Sequence, residues 1–371
     1  MNPTQLVHDL LVGFSSLTWG NYLMLAVGGV LIYLAVVKEY EPVLLLPIGF
    51  GCVLANLGMS YDNGLMKVLY DAGIKTELFP LLIFVGVGAM IDFRPLLAMP
   101  QMVILGAAGQ FGIYGTLLLA TLWFNLKQAA SIGVIGAIDG PTAIFVASKL
   151  APEMLGPIAV AAYSYMSLIP IIQPPIMKLL TTRKERLTRM AYAPRPVSNA
   201  AVIAFPIVVT VVVSLVAPSA APLIATLMLG NLLKESGVVE RLSKTAQNEM
   251  INITTLFLGL AIGATMTAKN FINWPTAAVL ALGLLAFVLD TVAGLLFGKL
   301  MYLVTRGKIN PLIGACGISA FPMAGRLSAK MALDEDYDNF ILMHAMGSNT
   351  AGQLGSVVAG GLLLALVAGF I

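Results

Sequence analysis

Charged residues are scarce in this sequence. Asp, Glu, Lys and Arg make up 11% of the 371 residues, hydrophobic residues make up 58%, and the mean hydropathy is +0.91. Soluble globular domains carry about 25% charged residues, so this composition excludes that class and predicts a polytopic protein of the lipid bilayer. The net charge of +3 is small and dispersed, and we therefore expect no nucleic-acid partner.

Cysteine is almost as rare. Cys52 and Cys316 both lie in apolar surroundings, and their spacing fits neither a metal site nor a redox pair. We expect two buried thiols.

Apolar segments fill most of the chain, but several are shorter than the roughly 20 residues that a spanning helix needs. We place them near residues 21–37, 43–57, 79–91, 101–124, 130–149, 156–180, 199–217, 220–233, 251–266, 276–304, 311–330 and 338–370. The mixed stretches 59–75 and 236–250 fit either interfacial helices or extramembrane connections. Short or Gly/Pro-interrupted segments in matching positions of two halves are typical of inverted-repeat transporters.

The two halves share short matches, in the same order and at a nearly constant offset. The pairs are GCVLANLG from Gly51 with GNLLKESG from Gly230, Gly88-Ala89 with Gly263-Ala264, Ile135–Ala137 with Ile313–Ala315, and residues 162–167 with 343–348. Basic residues concentrate between Arg183 and Arg195, which indicates a cytoplasmic loop. The sequence thus predicts a first membrane repeat with an N-terminal helix at 1–182, a basic cytoplasmic connector at 183–196, and a second, inverted repeat at 197–371.

Asp139 is the only charge in the apolar run from Ala130 to Ser148. A carboxylate at bilayer depth costs about 2.5–3.5 kcal/mol on insertion scales, so it normally has a partner or a ligand. Gly140 and Pro141 follow it and break a regular helix. A break at this depth frees carbonyl oxygens beside a carboxylate, which suits a small hard cation.

The second half contains a comparable interruption between Asn310 and Lys330. Asn310 before Pro311 predicts an N-cap with a first-turn proline, and Gly314, Gly317 and Pro322 interrupt the run around Ser319. Asn349 lies in a further glycine-rich polar stretch. Oxygen ligands of this kind favour Na⁺ over a soft metal. The alternative is that the glycines and prolines only allow close helix packing.

Other polar residues in apolar stretches have two interpretations each. Arg326 fits either a functional cation or a side chain that snorkels to the headgroups. Tyr165, beside a proline-rich helix, fits either a ligand or proton donor or a packed core aromatic. Asp290 is a second intramembrane carboxylate without a nearby break, and we rank it below Asp139.

At these residues the chain resembles the β subunits of the sodium-translocating biotin-dependent decarboxylases, which act on oxaloacetate, methylmalonyl-CoA or glutaconyl-CoA. The resemblance spans essentially the whole chain. It is carried by GAIDGPTAIFVASKLAP, AVAAYSYMSLIPIIQPPIMKLLTT, NPLIGACGISAFPMAGRLS and NFILMHAMGSNTAGQLGS. Ile138 and Gly325 depart from the family pattern, but neither change removes an oxygen ligand.

The resemblance implies a mechanism. Carboxybiotin, delivered by a partner because this chain has no biotinyl acceptor motif, is decarboxylated with uptake of a proton, and Na⁺ is exported across the bacterial cytoplasmic membrane. Asp139 and Asn349 are then expected as Na⁺ ligands, and Asn310, Gly314 and Ser319 as further members of the metal site. The expected catalytic residues are Asp139, Tyr165, Ser319 and Arg326. Arg326 is also expected to bind the carboxylated cofactor.

The resemblance also implies partners: a carboxyltransferase subunit, a biotin carrier subunit, a small membrane γ/δ subunit and a homotrimer. The fold that we predict is an all-α polytopic inverted-repeat transporter whose discontinuous helices meet at the bilayer midplane. The alternatives are a secondary Na⁺/H⁺ or Na⁺/organic-anion transporter without decarboxylation, and a membrane anchor that transports nothing.

Overall fold

The computed structural model describes residues 17–191 and 196–369. Both ends of the chain and part of the predicted connector therefore lie outside the described residues. Helices account for 80% of the structure, and the described part of the chain contains no strand. The predicted all-helical class is confirmed.

The helices follow one another through short connections. They are α1 (Trp19–Val37), α2 (Pro42–Asn56), α3 (Gly64–Leu69), α4 (Leu78–Met90), α5 (Arg94–Ala98), α6 (Met102–Ala108), α7 (Phe111–Ala120), α8 (Leu126–Gly133), α9 (Gly140–Leu150), α10 (Leu155–Ser167), α11 (Ile169–Leu180), α12 (Arg183–Arg186), α13 (Asn199–Val216), α14 (Ala221–Glu235), α15 (Glu240–Thr245), α16 (Ile251–Thr265), α17 (Ala268–Phe271), α18 (Trp274–Val304), α19 (Met323–Glu335) and α20 (Leu342–Gly369). Short 3₁₀ or π turns occupy Tyr70–Ile74, Val134–Ala137, Pro152–Met154, Pro218–Ala220, Ala246–Met250 and Pro311–Gly317.

Five helical stretches in the described ranges are long and apolar enough to cross a membrane when α6 and α7 are counted as one, and up to seven are if each strongly bent pair also counts as one span. The predicted span at 156–180 is one of these bent pairs, because the chain bends by 64° between α10 and α11. The segments predicted to be short are helices of 13 to 15 residues: α2, α4, α14 and α16. The two ambiguous stretches each form a short helix, α3 or α15, followed by a π turn.

Glycines allow the short helices to pack backbone against backbone. A Cβ on Gly51 of α2 would lie 2.6 Å from the carbonyl oxygen of Leu260 in α16. A Cβ on Gly88 of α4 would lie 1.8 Å from the carbonyl oxygen of Leu227 in α14. Real side chains do not fit at these distances, so these glycines are required by the close approach of the helices.

The basic residues after α11 hold one end of the molecule together. Arg186 Nε lies 2.7 Å from Glu335 Oε1, and Arg189 Nε lies 2.6 Å from Asp336 Oδ2. These arginine hydrogen bonds hold the pKa of each carboxyl below its usual range. We call the end of the molecule that carries Arg183–Arg189 the connector side.

Candidate functional site

Asp139 lies between a 3₁₀ turn and a helix. The 3₁₀ turn Val134–Ala137 ends before it, and α9 starts at Gly140. Ile138 takes a left-handed conformation, with φ of 51°, which turns the chain between the two pieces. Asp139 is therefore the N-cap of α9, with Pro141 in the first turn, where a missing N–H costs no helical hydrogen bond.

Three side chains donate hydrogen bonds to the Asp139 carboxylate. Thr142 Oγ1 lies 2.6 Å from Asp139 Oδ2, and Gln353 Nε2 and Ser356 Oγ each lie 3.0 Å from the same oxygen. Asp139 itself is buried. One carboxylate oxygen is thus held by the protein, while the other, Oδ1, receives none of these three bonds.

The second interrupted segment contacts the first directly. Ser319 donates its backbone N–H to the Ala137 carbonyl oxygen at 3.1 Å, and its hydroxyl to the Gly352 carbonyl oxygen at 3.2 Å. Asn349 Nδ2 donates to the carbonyl oxygens of Cys316 and Ile318 at 3.2 and 2.7 Å. The structure therefore brings together three of the predicted residues: Asp139, Ser319 and Asn349.

Helix α20 holds this junction together. Asn349, Gln353 and Ser356 have the spacing of one helix face, and they bind the interrupted segments of both halves. Gln353 and Ser356 are not among the residues predicted from the sequence. The helical spacing of polar residues within NTAGQLGS was the signal that would have found them.

A cavity of about 320 Å³ reaches Asp139. The two breaks contribute Asp139, Ser319 and Phe321 to its wall, and α20 contributes Gln353. Residues of α4 and of the first turns of α2 and α16 complete much of the lining. Space large enough for a hydrated cation is therefore available beside the buried carboxylate.

The tyrosine at this cavity is Tyr163, and the predicted Tyr165 lies elsewhere. Tyr163 lines the cavity and packs its ring against Gly140, where a Cβ would lie 2.0 Å from a ring carbon. Its hydroxyl is buried and has no partner within the described ranges. Tyr165 instead donates its hydroxyl hydrogen bond to the Leu280 carbonyl oxygen in α18.

Asn310 and Gly314 lie away from the Asp139 cavity. Asn310 caps the 3₁₀ turn as predicted, accepting from the Leu312 N–H at 3.0 Å, and its Nδ2 donates to the carbonyl oxygens of Arg186 and Thr188 at 2.9 Å. Gly314 packs on Gly294 of α18, where a Cβ on Gly314 would lie 2.1 Å from the Gly294 carbonyl oxygen. These contacts join the second interrupted segment to the connector side and to the longest helix.

Arg326 lies in the first turn of α19 and is exposed. Within the described ranges, its guanidinium makes no hydrogen bond or ion pair, and it does not line the Asp139 cavity. Asp290 is fully buried in α18, accepts from the Gly112 N–H, and has no partner for Oδ2 among the described residues. Both predicted thiols, Cys52 and Cys316, are buried.

Comparison with known proteins identifies the family. The family model of the Na⁺-transporting oxaloacetate decarboxylase beta subunit matches residues 20–367. The chain is 53% identical to the glutaconyl-CoA decarboxylase subunit beta of Acidaminococcus fermentans, over 96% of each chain. It is 52% identical to the methylmalonyl-CoA decarboxylase subunit beta of Veillonella parvula, over 96% of this chain and 95% of the relative.

The oxaloacetate decarboxylase beta chain of Klebsiella pneumoniae is 46% identical to this chain, over 96% of this chain and 97% of the relative. Relatives with three different substrates in their names therefore match almost end to end. The predicted resemblance is confirmed, and these matches favour a sodium pump over a transporter without decarboxylation. The chain belongs to the family of Na⁺-transporting decarboxylase beta subunits.

Proposed function

We propose that this chain uses the decarboxylation of carboxybiotin, delivered by a partner subunit, to export Na⁺ with uptake of a proton. The observation that carries the proposal is the Asp139 junction: a buried carboxylate at the meeting point of two interrupted segments, beside a cavity, in a chain of this family. Moving one charge against 100 mV costs about 2.3 kcal/mol, so one or two Na⁺ per turnover require on the order of 2–5 kcal/mol.

Asp139 Oδ1 is the first Na⁺ ligand that we propose, because Thr142, Gln353 and Ser356 all bind the other oxygen. Asn349 Oδ1 is the second: it is buried and accepts no hydrogen bond from the described residues. The Ser319 hydroxyl lies at the same junction. Carboxylate, amide and hydroxyl oxygens form the ligand set that hard cations prefer.

A proton and Na⁺ compete for the same carboxylate at Asp139. Arrival of a proton therefore favours release of Na⁺, and Na⁺ binding favours release of the proton. This competition couples proton uptake to ion export at one residue without any additional carrier of charge.

We also propose that the fold is an inverted repeat. The contact of Gly51 in α2 with α16 has a counterpart in the contact of Gly230 in α14 with Val85 in α4. Gly51 matches Gly230 and Gly88 matches Gly263 between the halves of the sequence. The first short helix of each half thus packs against the second short helix of the other half: α2 against α16, and α14 against α4. A pseudo-two-fold axis relates contacts in this way.

Arg326 is the group that we propose for the carboxylate of carboxybiotin. Its guanidinium is exposed and unpaired within the described ranges, and it follows the second break by one helical turn. A guanidinium binds a carboxylate through two parallel hydrogen bonds. Bound carboxybiotin would supply the carboxyl group whose loss as CO₂ releases the free energy for transport.

The beta-subunit relatives imply further subunits, and those that we propose are a carboxyltransferase, a biotin carrier and a small membrane γ/δ subunit. The location that we propose is the bacterial cytoplasmic membrane, with the chain as a trimer and the connector side facing the cytoplasm. The support is the basic cluster Arg183–Arg195, since Lys and Arg concentrate in cytoplasmic loops.

The test is the variant Asp139→Asn, purified with its partner subunits and reconstituted in vesicles. We expect loss of Na⁺ transport in a folded protein, because the amide removes the counter-charge for the ion. Asp334→Asn makes the same chemical change at an exposed aspartate of α19 and should transport normally. Wild-type Na⁺ uptake by Asp139→Asn would disprove the assignment.

A further inference from the structure

The Asp139 cavity is lined by a second carboxylate. Glu41 lines the cavity immediately before α2 starts at Pro42. Its side chain is half-buried, and it makes no hydrogen bond or ion pair with any residue in the described ranges. A carboxylate without a protein partner is free to interact with a cation that enters the cavity.

The charge of the cavity is of one sign. Among the described residues, the charged side chains that line it are Glu41 and Asp139, and both are acidic. Three uncharged polar residues near the start of α16 also line it: Gln247, Asn252 and Thr255. Carboxylates in a concave site with low-dielectric walls concentrate cations, because the walls focus the field.

The position of Glu41 indicates from which side the cation arrives. The cavity wall includes Met90, the last residue of α4. The chain just beyond α4 reaches the connector side, because Ala98 and Met99 line a second cavity together with Met190 and Ala191. Glu41 and Met90 line the same cavity, so Glu41 lies near the end of α4 that leads to the connector side.

We propose that Glu41 is the residue that captures Na⁺ at the mouth of the cavity and passes it to Asp139. This inference rests on the proposed function, in which Asp139 binds the transported ion. Glu41 lies at the start of α2, whereas Asp139 belongs to the first break. The two carboxylates thus attract a cation into the same cavity from two different parts of the chain.

The experiment compares Glu41→Gln with Glu39→Gln in the complete complex. Glu39 is an exposed glutamate two residues earlier that does not line the cavity, so its variant loses the same charge without the same position. Two quantities are measured: the Na⁺ concentration that gives half-maximal transport, and the one that gives half-maximal thermal protection. Choline chloride keeps the ionic strength constant.

Glu41→Gln should raise both Na⁺ concentrations roughly three- to tenfold, with the maximal rate retained, because the lost charge lowers the local Na⁺ concentration. Glu39→Gln should match the wild type. Equal midpoints for the two variants would overturn the role of Glu41. A lower maximal rate with an unchanged midpoint would also overturn it.

Two further arms keep the result interpretable. If Glu41→Gln does not fold, Glu41→Cys is modified with an anionic or a cationic methanethiosulfonate reagent; the native cysteines are buried. The anionic adduct should restore the low Na⁺ midpoint and the cationic adduct should not, and equal midpoints would refute the proposal. A wild-type protein without any Na⁺ dependence would instead refute the proposed function at Asp139.

Discussion

Ser356 offers a test of how the protein holds Asp139 in position. Its hydroxyl lies 3.0 Å from Asp139 Oδ2 and also 3.0 Å from the Gln353 carbonyl oxygen, so one hydrogen serves two acceptors. A hydrogen bond to a charged group contributes about 1.5–3 kcal/mol. Because this bond is shared, and because Thr142 and Gln353 still donate to the same oxygen, we expect the lower end of that range for Ser356→Ala.

A loss of about 1.5 kcal/mol corresponds to roughly a tenfold change in a binding constant. Ser356→Ala should therefore require roughly ten times more Na⁺ for half-maximal thermal protection and half-maximal transport, because a less firmly held carboxylate presents Oδ1 less well to the ion. The protein should remain folded, since the hydroxyl is removed without a change in the apolar packing.

Ser348→Ala is the matched control. Ser348 is also buried in α20, but its hydroxyl has no partner among the described residues. Its removal should leave the Na⁺ midpoint near that of the wild type. If the two serine variants have the same midpoint, the hydrogen bond to Asp139 does not position a cation ligand, and this reasoning is refuted.

Three further predictions concern the ion, the cofactor and the connector side. Na⁺ should protect the protein against heat more than K⁺ at equal ionic strength, and Asn349→Ala should weaken that protection because it removes a candidate ligand; equal protection by both ions would indicate general salt effects. Arg326→Ala should stop CO₂ release from carboxybiotin but retain thermal protection by Na⁺, and Arg326→Lys should restore CO₂ release only in part because an ammonium lacks the planar fork. Arg241→Ala, at an exposed arginine of α15, is the control. CO₂ release by Arg326→Ala at the wild-type rate would show that Arg326 is only a snorkelling side chain. Hydrogen-exchange protection at residues 183–191 should begin to fall when the pH drops below about 4.5, the ordinary pKa of Glu335. It should go on falling as the pH is lowered further. The sign follows from the lowered pKa of Glu335 and Asp336: their ion pairs are complete above the ordinary values and are lost as each carboxyl is protonated. Glu335→Gln should show part of that loss already at neutral pH, and a wild-type protection factor there would contradict the assignment.

Local chemistry made the break at Asp139 predictable. A lone carboxylate followed by Gly140 and Pro141 cannot continue a membrane helix, and Pro141 favours the first turn of a new one. The same reasoning predicted the cap at Asn310. Composition was enough to predict a membrane protein, because too few charged residues exist to cover a soluble surface; the lengths of the apolar segments then indicated helices.

Tertiary structure decided which tyrosine faces the site. Tyr163 and Tyr165 are two residues apart on α10, so their side chains point about 200° apart around the helix. The packing of α10 turns Tyr163 to the break at Gly140 and Tyr165 to α18. Nothing in the local sequence distinguishes the two, because both are aromatic residues in the same apolar segment.

The partners of Asp139 were likewise decided by the fold. Gln353 and Ser356 follow Asp139 by 214 and 217 residues in the chain. Glu41 lines the same cavity from the start of α2, in the N-terminal part of the sequence. Sequence by itself determined where the chain must break and which residue there carries charge, because those properties depend on neighbouring residues. Which oxygens and donors meet at that charge depends on how helices far apart in sequence pack, and packing is a property of the whole chain.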